Sequence, residues 1–442
     1  MSAAESFGEK KMHLRSIKQG LKAVIGAALL TALAPLVAYA QTQVSSGFGC
    51  RALEHNRALP AVEGKDGFFF AINPELMSHH TLSDAMVREI AALSEVLRTK
   101  GTALVLLPVP TRAMALIDKL TPLARGIGYD PEQAVAVHQE MLKRLRAARI
   151  ITADAFPQLR QAALDGNAPF LNTDPRPTPA GARILAQSVG AAVVSAGLKG
   201  VGQFQSVMVN QTVIPSHMRA ILQMACHSEL PRTEVTSFVT VDSASQSGEI
   251  SEHLVVLGTE TTATKELNFA GFVGESTGYS VKSYGVPNGG AFAAMASYLT
   301  SNDYATAAPK VLVWEWPVSS SMGAHGLQPI RELSAAAARA CKNKIPFMNR
   351  DDKLVADINW IAKDRPLVLE FDTGGVPAIR ASFHFIDAEG VTKSRSIYRE
   401  PNQVLTGRFY FSPVDPVAAH AVSLEVETGQ PLGFAPSLKA CE

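Results

Sequence analysis

Three short, strongly apolar segments constrain the fold of this chain most, at residues 103–108, 252–258 and 308–316. Segments of this kind are typical of strands that a parallel sheet buries on both faces. Apolar residues at helical spacing predict helices near them, over residues 83–100, 131–147, 180–196 and 290–299. Strands that alternate with helices favour a doubly wound α/β domain.

The pattern changes after Cys341 to short strands separated by turns. The predicted strands cover residues 367–371, 378–386, 391–398, 408–411 and 421–426. We therefore expect an α/β domain over residues 41–340 and a β-sandwich over residues 341–442. Within the first domain, poor periodicity over about residues 201–247 predicts an irregular insertion.

The first forty residues are typical of a secretory signal. Lysines and an arginine precede an uncharged run over residues 23–37, and Ala38 and Ala40 fit a small-residue cleavage site. The pattern predicts a leader over residues 1–40, a mature chain that begins at Gln41, and a periplasmic location. The uncharged run is too short for a convincing spanning helix, so we expect no transmembrane segment in the mature chain. An uncleaved membrane anchor is the alternative.

Charge is nearly balanced, with 41 Lys and Arg side chains against 40 Asp and Glu. Such a balance gives no reason to expect a nucleic-acid partner. The hydrophobic content of 47% is ample for packed cores.

Cysteine number and spacing predict disulfides and argue against a metal site. The chain has four cysteines and no Cys-x-x-Cys pair, so zinc is not expected. An exported chain with an even count implies two disulfides. Of the three pairings, Cys341 with Cys441 would join the ends of the C-terminal unit, which leaves Cys50 for Cys226.

Five segments in register carry a resemblance to a known family. They are residues 63–70, 108–112, 173–182, 257–262 and 313–317. Together they resemble the AlgX/AlgJ family of alginate O-acetyltransferases, periplasmic proteins with an SGNH-hydrolase-like fold. Some members carry a carbohydrate-binding module after the catalytic domain, and the predicted sandwich is similar to it. The resemblance implies no cofactor.

The resemblance also implies where a catalytic triad would lie. The family uses a serine nucleophile, a histidine that takes its proton, and an aspartate two residues before the histidine. In this sequence the aspartate position is Asp174, the histidine position is Arg176 and the serine position is Glu260. A guanidinium stays protonated in proteins, so it cannot act as a general base. We therefore expect acetyl transfer to be lost or impaired.

The two substituted positions predict a contact and leave two other chemistries open. We expect Arg176 and Glu260 to form an ion pair at roughly 4 Å. One alternative is an active O-acetyltransferase with a rearranged site, in which a threonine flanking Glu260 is the nucleophile: Thr259, Thr261 or Thr262. The other is a glycan hydrolase that uses Asp174 and Glu260 as its carboxylates.

Candidate polymer contacts lie mainly in the C-terminal part. Guanidinium groups bind carboxylates bidentately, so basic side chains there are candidates for an anionic polysaccharide such as alginate: Lys393, Arg395, Arg399 and Arg408. A solvated basic face is the equal alternative. Trp316 ends a predicted strand and is expected either to stack on a sugar or to plug the sheet, whereas Phe383 and Phe385 fit a sandwich core.

These features together predict a protein of exopolysaccharide biosynthesis, modification or export. We expect it to bind the polymer or to assemble with other acetylation and secretion proteins, with acetyl transfer lost or impaired.

Overall fold

The structure is a computed structural model that describes residues 46–243, 253–350, 353–361, 367–413, 418 and 420–441. The predicted leader over residues 1–40 and the start at Gln41 lie outside these ranges. Within them, no helix has both the length and the apolar character needed to cross a bilayer.

Strands of the first part of the chain are numbered in sequence order. They are β1 (Ala61–Glu63), β2 (Phe69–Ala71), β3 (Ala103–Val109), β4 (Ile151–Thr152), β5 (Phe204–Val213), β6 (Glu234–Asp242), β7 (His253–Gly258), β8 (Ser280–Gly285) and β9 (Val311–Pro317).

Helices connect these strands and follow the last of them. They are α1 (Ile72–Glu75), α2 (Asp84–Thr99), α3 (Arg112–Ala115), α4 (Pro122–Gly126), α5 (Pro131–Ala147), α6 (Phe156–Leu164), α7 (Pro179–Ser195), α8 (His217–Gln223), α9 (Glu260–Ala263), α10 (Phe269–Thr277), α11 (Ala293–Leu299), α12 (Asn302–Thr306) and α13 (Gln328–Ala338). Side-chain caps begin several of them. The hydroxyl of Ser83 accepts from Met86 N at the start of α2, and that of Thr178 accepts from Gly181 N at the start of α7.

A five-stranded parallel sheet forms the centre of this part. Its order is β4-β3-β9-β7-β8, and all neighbouring strands run parallel. Strands β3, β7 and β9 are buried along almost their whole length, as a sheet covered on both faces requires. Helices α2, α11 and α13 contact one another or strands β3 and β7, while α7 and α10 pack together. The predicted α/β class is confirmed.

The stretch predicted as an irregular insertion is more regular than expected. Strands β5 and β6 pair antiparallel, and α8 lies between them. Many apolar side chains of this two-stranded ribbon are exposed, including Met208 and Val209. Their exposure explains why no periodicity of burial marks the strands. Residues 244–247 lie outside the described ranges.

The C-terminal part is a sandwich of two antiparallel sheets. Its strands are β10 (Cys341–Lys344), β11 (Met348–Arg350), β12 (Lys353–Asp357), β13 (Val368–Asp372), β14 (Arg380–Asp387), β15 (Thr392–Tyr398), β16 (Arg408–Phe411), β17 (Ala421–Glu427) and β18 (Ser437–Cys441). One sheet has the order β10-β18-β13-β16, and the other has the order β11-β12-β17-β14-β15. The predicted sandwich is confirmed, and four of its strands, β10, β11, β12 and β18, were not predicted.

The core of the sandwich contains the aromatic pair that the sequence assigned to it. Phe383 and Phe385 on β14 are buried, and both rings lie close to that of Phe411. Apolar residues from both sheets complete this core. The alternation on β14 therefore has a packing origin.

Two disulfides link distant parts of the chain in the predicted pairing. Cys50 is joined to Cys226, three residues after α8 ends. Cys341 is joined to Cys441, so the first and last strands of the sandwich are linked. The second link closes a loop of 100 residues.

Candidate functional site

The loop that carries Asp174 lies beside the carboxyl end of the parallel sheet. Arg112, three residues after β3, is buried and donates from its guanidinium to the carbonyl oxygens of Leu171 (2.6 Å) and Asp174 (2.7 Å). Its charge is balanced by the buried Glu75, with Nε 2.6 Å from Oε1. A buried ion pair thus fixes this loop to the end of β3. Arg112 lies in one of the family-like segments, but its partner in the pair was not predicted.

The side chains of Asp174 and Arg176 form a bidentate ion pair. Arg176 Nε lies 2.7 Å from Asp174 Oδ1, and Nη2 lies 2.8 Å from Oδ2. The backbone nitrogen of Arg176 donates to the same carboxylate at 2.9 Å. Asp174 is buried and Arg176 is half-buried. Parallel hydrogen bonds between a guanidinium and a carboxylate are strong and geometrically specific.

The predicted ion pair between Arg176 and Glu260 is wrong. No nitrogen of Arg176 lies within 4.0 Å of a Glu260 carboxylate oxygen. The buried Asp174 has the greater need for a counter-charge, and it is only two residues away in the same loop. The remaining donors of Arg176 bind the carbonyl of Pro215 and the hydroxyl of Thr264.

Thr264 nevertheless brings the two segments together. Its hydroxyl accepts from Arg176 Nη1 at 3.1 Å and donates to the carbonyl oxygen of Glu260 at 2.7 Å. The loop of Asp174 and the turn after β7 are therefore neighbours, as the resemblance implied, although the contact differs from the predicted one.

The carboxylate of Glu260 faces another loop. Glu260 is the first residue of α9 and is half-buried. Its Oε1 accepts from the backbone nitrogen of Asn288 at 2.7 Å. Asn288 follows β8, so Glu260 ties the end of β7 to the loop after the neighbouring strand.

Glu315 organises the turn between β7 and α9. This buried side chain on β9 accepts from Thr259 N (2.8 Å), from the Thr259 hydroxyl (3.1 Å) and from the Thr262 hydroxyl (2.9 Å). Burial raises the pKa of Glu315 to about 7, although the hydrogen bonds from Thr259 and Thr262 oppose that rise. A Cβ atom at Gly258 would lie only 2.0 Å from Glu315 Oε2, so the strand must end in glycine. Glu315 was not predicted as a site residue. The sequence signal that could have identified it is a single acidic residue in an otherwise apolar strand.

These contacts limit the chemistry of the site. In the described part of the chain, no serine or histidine side chain bonds to the side chains of Asp174, Arg176 or Glu260. Both oxygens of Asp174 are held by Arg176, which argues against Asp174 and Glu260 as a hydrolytic carboxylate pair. The hydroxyls of Thr259 and Thr262 both bind Glu315. Across the described residues, no cluster of three His, Cys, Asp or Glu side chains could hold a metal ion.

Two of the predicted polymer contacts are buried, which argues against a polymer contact for Arg399 and favours the packing alternative for Trp316. Arg399 is 8% exposed, and its guanidinium lies 2.5 and 2.8 Å from the two oxygens of Glu332 on α13. Trp316 is 2% exposed and donates from Nε1 to the carbonyl of Ser320. Arg399 is therefore a buried counter-ion of Glu332, and Trp316 packs in the core at the end of strand β9.

The other basic candidates differ in accessibility. Arg408 is half-buried and binds Asp372 at 2.9 Å and Asn302 at 2.8 Å. Lys393 and Arg395 are exposed on β15, the edge strand, at positions paired with the core residues Phe385 and Phe383. Inward-facing charges on an edge strand also keep it from pairing with another chain.

Comparisons with known proteins agree with the fold. The family profile described as "SGNH hydrolase-like domain, acetyltransferase AlgX" matches residues 61–318. The alginate biosynthesis protein AlgX of Pseudomonas aeruginosa is 27% identical over 308 residues, which are 66% of this chain and 62% of that protein. The protein of the same name from Pseudomonas syringae is 23% identical over 405 residues, or 86% of this chain and 83% of that protein.

The solved structure of Pseudomonas aeruginosa AlgX is similar in fold. It superposes with a TM-score of 0.71 at 21% sequence identity, and the match covers 89% of this chain and 96% of that chain. The sequence match to the Pseudomonas aeruginosa protein spans less than two thirds of that protein's length.

Proposed function

This chain belongs to the family of SGNH hydrolase-like domains of the acetyltransferase AlgX, and on that premise we propose a role without acetyl transfer. The protein acts in the biosynthesis, modification or export of alginate or a similar uronate polymer. It does so by binding the polymer or by assembling with acetylation and secretion proteins.

The ion pair between Arg176 and Asp174 is the observation that carries the proposal. Acyl transfer through a serine needs a base that takes the hydroxyl proton and later returns it. A guanidinium held by Asp174 at 2.7 and 2.8 Å stays protonated and has no lone pair for that proton. Glu260 supplies no hydroxyl, so an acetyl ester of the kind that serine forms cannot arise there.

The two disulfides favour the location of this protein in an oxidising compartment. Two disulfides are rare in cytosolic proteins and common in the bacterial periplasm. Together with the signal-like first forty residues, they favour the periplasm as the place of action.

Two exposed basic residues on one strand of the sandwich are candidates to contact a carboxylate polymer. Lys393 and Arg395 lie two residues apart on the edge strand β15. Alternate residues of a strand lie on the same side, so the two cations share one side of the strand. The polymer would contact this pair, which we call the β15 cations, rather than the buried Arg399.

One specific observation favours a second candidate, an acetyltransferase with a rearranged site. The Thr259 hydroxyl donates to Glu315, whose pKa burial raises to about 7. A buried carboxylate of that pKa is suited to act as a general base. Against this candidate, Thr259 is itself buried, and Glu315 already accepts two other hydrogen bonds.

Two measurements on the same protein test the proposal: a turnover assay and a polymer-binding assay. The purified protein is incubated with an acetyl-ester donor, with and without alginate, and acetate release and acetyl transfer are measured. We expect no turnover above that of a Glu260→Gln, Asp174→Asn double variant, and retention of the protein on an alginate column. Turnover that Glu260→Ala or Asp174→Ala abolishes would contradict the loss of chemistry. Turnover lost only in Thr259→Ala would favour the second candidate.

A further inference from the structure

Strand β15 forms an open edge of the sandwich. It is the last strand in the order β11-β12-β17-β14-β15, so among the described strands it pairs with β14 alone. The backbone nitrogen of Arg399, directly after the strand, donates to the carbonyl of Ile379. Main-chain groups of successive residues point to alternate sides of an antiparallel strand, so those of Ser396 and Tyr398 point away from β14. Across the described structure, the main-chain N–H and C=O of these two residues have no hydrogen-bond partner.

A cavity of about 390 Å³ lies along the same edge. All five residues from 396 to 400 line it. Successive side chains of a strand point to opposite faces, so a cavity that touches every residue of this run lies beside the strand rather than over one face. The opposite wall includes apolar residues of the α/β part, with Ala293 and Ala296 on α11 and Leu333 on α13. The edge of the sheet therefore borders a partly apolar pocket.

The inner side of β15 faces the pocket. Ile397 is buried in the core of the sandwich, and Arg399 lies on the same side because alternate residues of a strand share a side. The guanidinium of Arg399 reaches Glu332 on α13, which also lines the cavity. If another strand were added at this edge, its side chain opposite Ile397 would point toward the cavity.

Charge differs between the two ends of the edge. Lys393 is exposed and lies four residues before Ile397, on the same side of β15. Glu400 is exposed, follows the strand and lines the cavity. An acidic residue of an added strand is therefore stabilised opposite Lys393 and disfavoured beside Glu400. The cation that protects the edge from uncharged or basic strands thus selects an acidic one.

From these observations we propose that β15 binds an extended peptide segment of a partner protein. The segment adds as an antiparallel strand, the more stable arrangement, and places an apolar side chain in the cavity. The main-chain groups of Ser396 and Tyr398 supply the hydrogen bonds, and the cavity supplies the specificity for the side chain.

The register of this pairing fixes the pattern of the segment. In an antiparallel pair, the residue opposite Ile397 comes four positions before the residue opposite Lys393. The segment therefore has an apolar residue that is followed, four positions later, by Asp or Glu. This inference rests on the part of the proposed function in which the protein assembles with other proteins, and it gives the chemistry of one such partner.

A synthetic peptide of this pattern tests the inference. The probe is the acetylated peptide amide Thr-Leu-Thr-Val-Thr-Glu-Thr with a fluorescent label, in which Leu would lie opposite Ile397 and Glu opposite Lys393. Binding to the full-length protein is measured by fluorescence anisotropy, and we expect saturation below about 1 mM. N-methylation of the Thr after Leu removes the donor that faces the carbonyl of Ser396. This change should weaken binding about fivefold, the scale of one hydrogen bond.

Substitutions in the protein test the same register. Tyr398→Pro removes a main-chain donor that points away from β14, a change that an edge strand tolerates, and should also weaken binding about fivefold. Tyr398→Thr keeps that donor and is the matched control for the loss of the ring. Lys393→Glu should weaken binding about threefold at low salt, and a peptide with Lys in place of Glu should recover the loss. Ala324→Trp, in an exposed turn that lines the cavity, should weaken binding by obstructing the pocket.

The outcomes separate this inference from the proposed function. Absence of saturable binding, or equal binding of the N-methylated peptide, would overturn the inference, while retention on alginate without acetyl turnover would leave the proposed function in place. Acetyl turnover together with peptide binding would contradict the proposed function and support the inference. A dimer in analytical ultracentrifugation would show that a second copy occupies the edge, which would also overturn it. Thermal unfolding verifies that each variant is folded, and the N-methylated peptide still tests the edge if Tyr398→Pro does not fold.

Discussion

Arg176 and Asp174 hold each other through two parallel hydrogen bonds, Nε to Oδ1 at 2.7 Å and Nη2 to Oδ2 at 2.8 Å. The family resemblance implies a histidine at the position of Arg176, which the aspartate at position 174 would orient. Here the same carboxylate is occupied by a cation that cannot exchange a proton at neutral pH. The contact of Asp174 with Arg176 is an ion pair within one loop, and its consequences for stability are measurable.

Removal of one partner from this pair should destabilise the protein. Arg176→Met leaves Asp174 as a buried carboxylate that has lost its counter-charge, and the free energy of unfolding should fall by about 3 kcal/mol. Asp174→Asn keeps an oxygen acceptor without the charge and should cost less. Urea unfolding of the two variants measures both values. Equal stability of wild type and Arg176→Met would show that the pair has no structural role.

The ion pair between Glu332 and Arg399 links the α/β part to the sandwich. Its loss should cost more stability than the loss of the pair between Arg176 and Asp174. Both side chains are buried, and Glu332 also accepts from Tyr410 N at 3.1 Å. Arg399→Met should lower the free energy of unfolding by about 3 to 5 kcal/mol, because Glu332 is left buried without a counter-charge. The double variant Glu332→Leu, Arg399→Met should lose less than the sum of the single variants. Additive losses in urea unfolding would contradict the coupling.

His138 should make the protein sensitive to mild acid. It lies on α5 at 2% exposure, and neither ring nitrogen has a partner among the described residues. Burial lowers the pKa of His138 to about 4. An unfolded histidine binds its proton near pH 6.5, so the unfolded state takes up the proton first as the pH falls. The contribution of the neutral ring to the free energy of unfolding is therefore fully present above pH 6.5, and it is lost as the pH falls through 4.

The variant His138→Leu isolates this effect. Between pH 7 and pH 4, the wild type should lose about 3 kcal/mol of unfolding free energy relative to the variant. Chemical denaturation at a series of pH values gives the two curves. Parallel curves over that range would mean that His138 titrates normally in the folded protein.

Charge reversal tests the β15 cations as the polymer contact. Lys393→Glu with Arg395→Glu should shorten retention on an alginate column and reduce its salt dependence, because two exposed cations are replaced by anions. Arg88→Glu with Lys100→Glu, at exposed positions on α2 and directly after it, is the control for the same change in net charge. Unchanged retention of the double variant would remove these residues from the polymer contact.

The sequence predicted those parts of the fold that have regular burial. Strand β3 is apolar throughout, and strand β9 is apolar apart from Glu315, because the sheet is covered on both faces. This pattern is readable without a structure. Strands β5 and β6 were missed because their ribbon is largely solvent-exposed, so no apolar face repeats. The sandwich was predicted from five strands, β13 to β17, whereas its short strands β10 and β11 carry little apolar pattern.

The partners of charged residues were less predictable. Arg399 resembled a polymer contact in the sequence because its counter-ion, Glu332, lies on α13, a helix that no pattern in the sequence predicted. Arg176 was paired with the wrong carboxylate because sequence alone does not reveal which of two acids is buried. Such contacts depend on which residues the tertiary fold brings together, and the pattern of residues along the sequence does not reveal this.

Under the proposed function, no covalent acetyl intermediate forms at the positions of Asp174, Arg176 and Glu260. Incubation of the purified protein with a reactive acetyl ester, followed by intact mass spectrometry and peptide mapping, tests it directly. We expect no acetyl adduct on the peptide that contains residues 258–264. A stoichiometric adduct on Thr259 or Glu260 would contradict the claim.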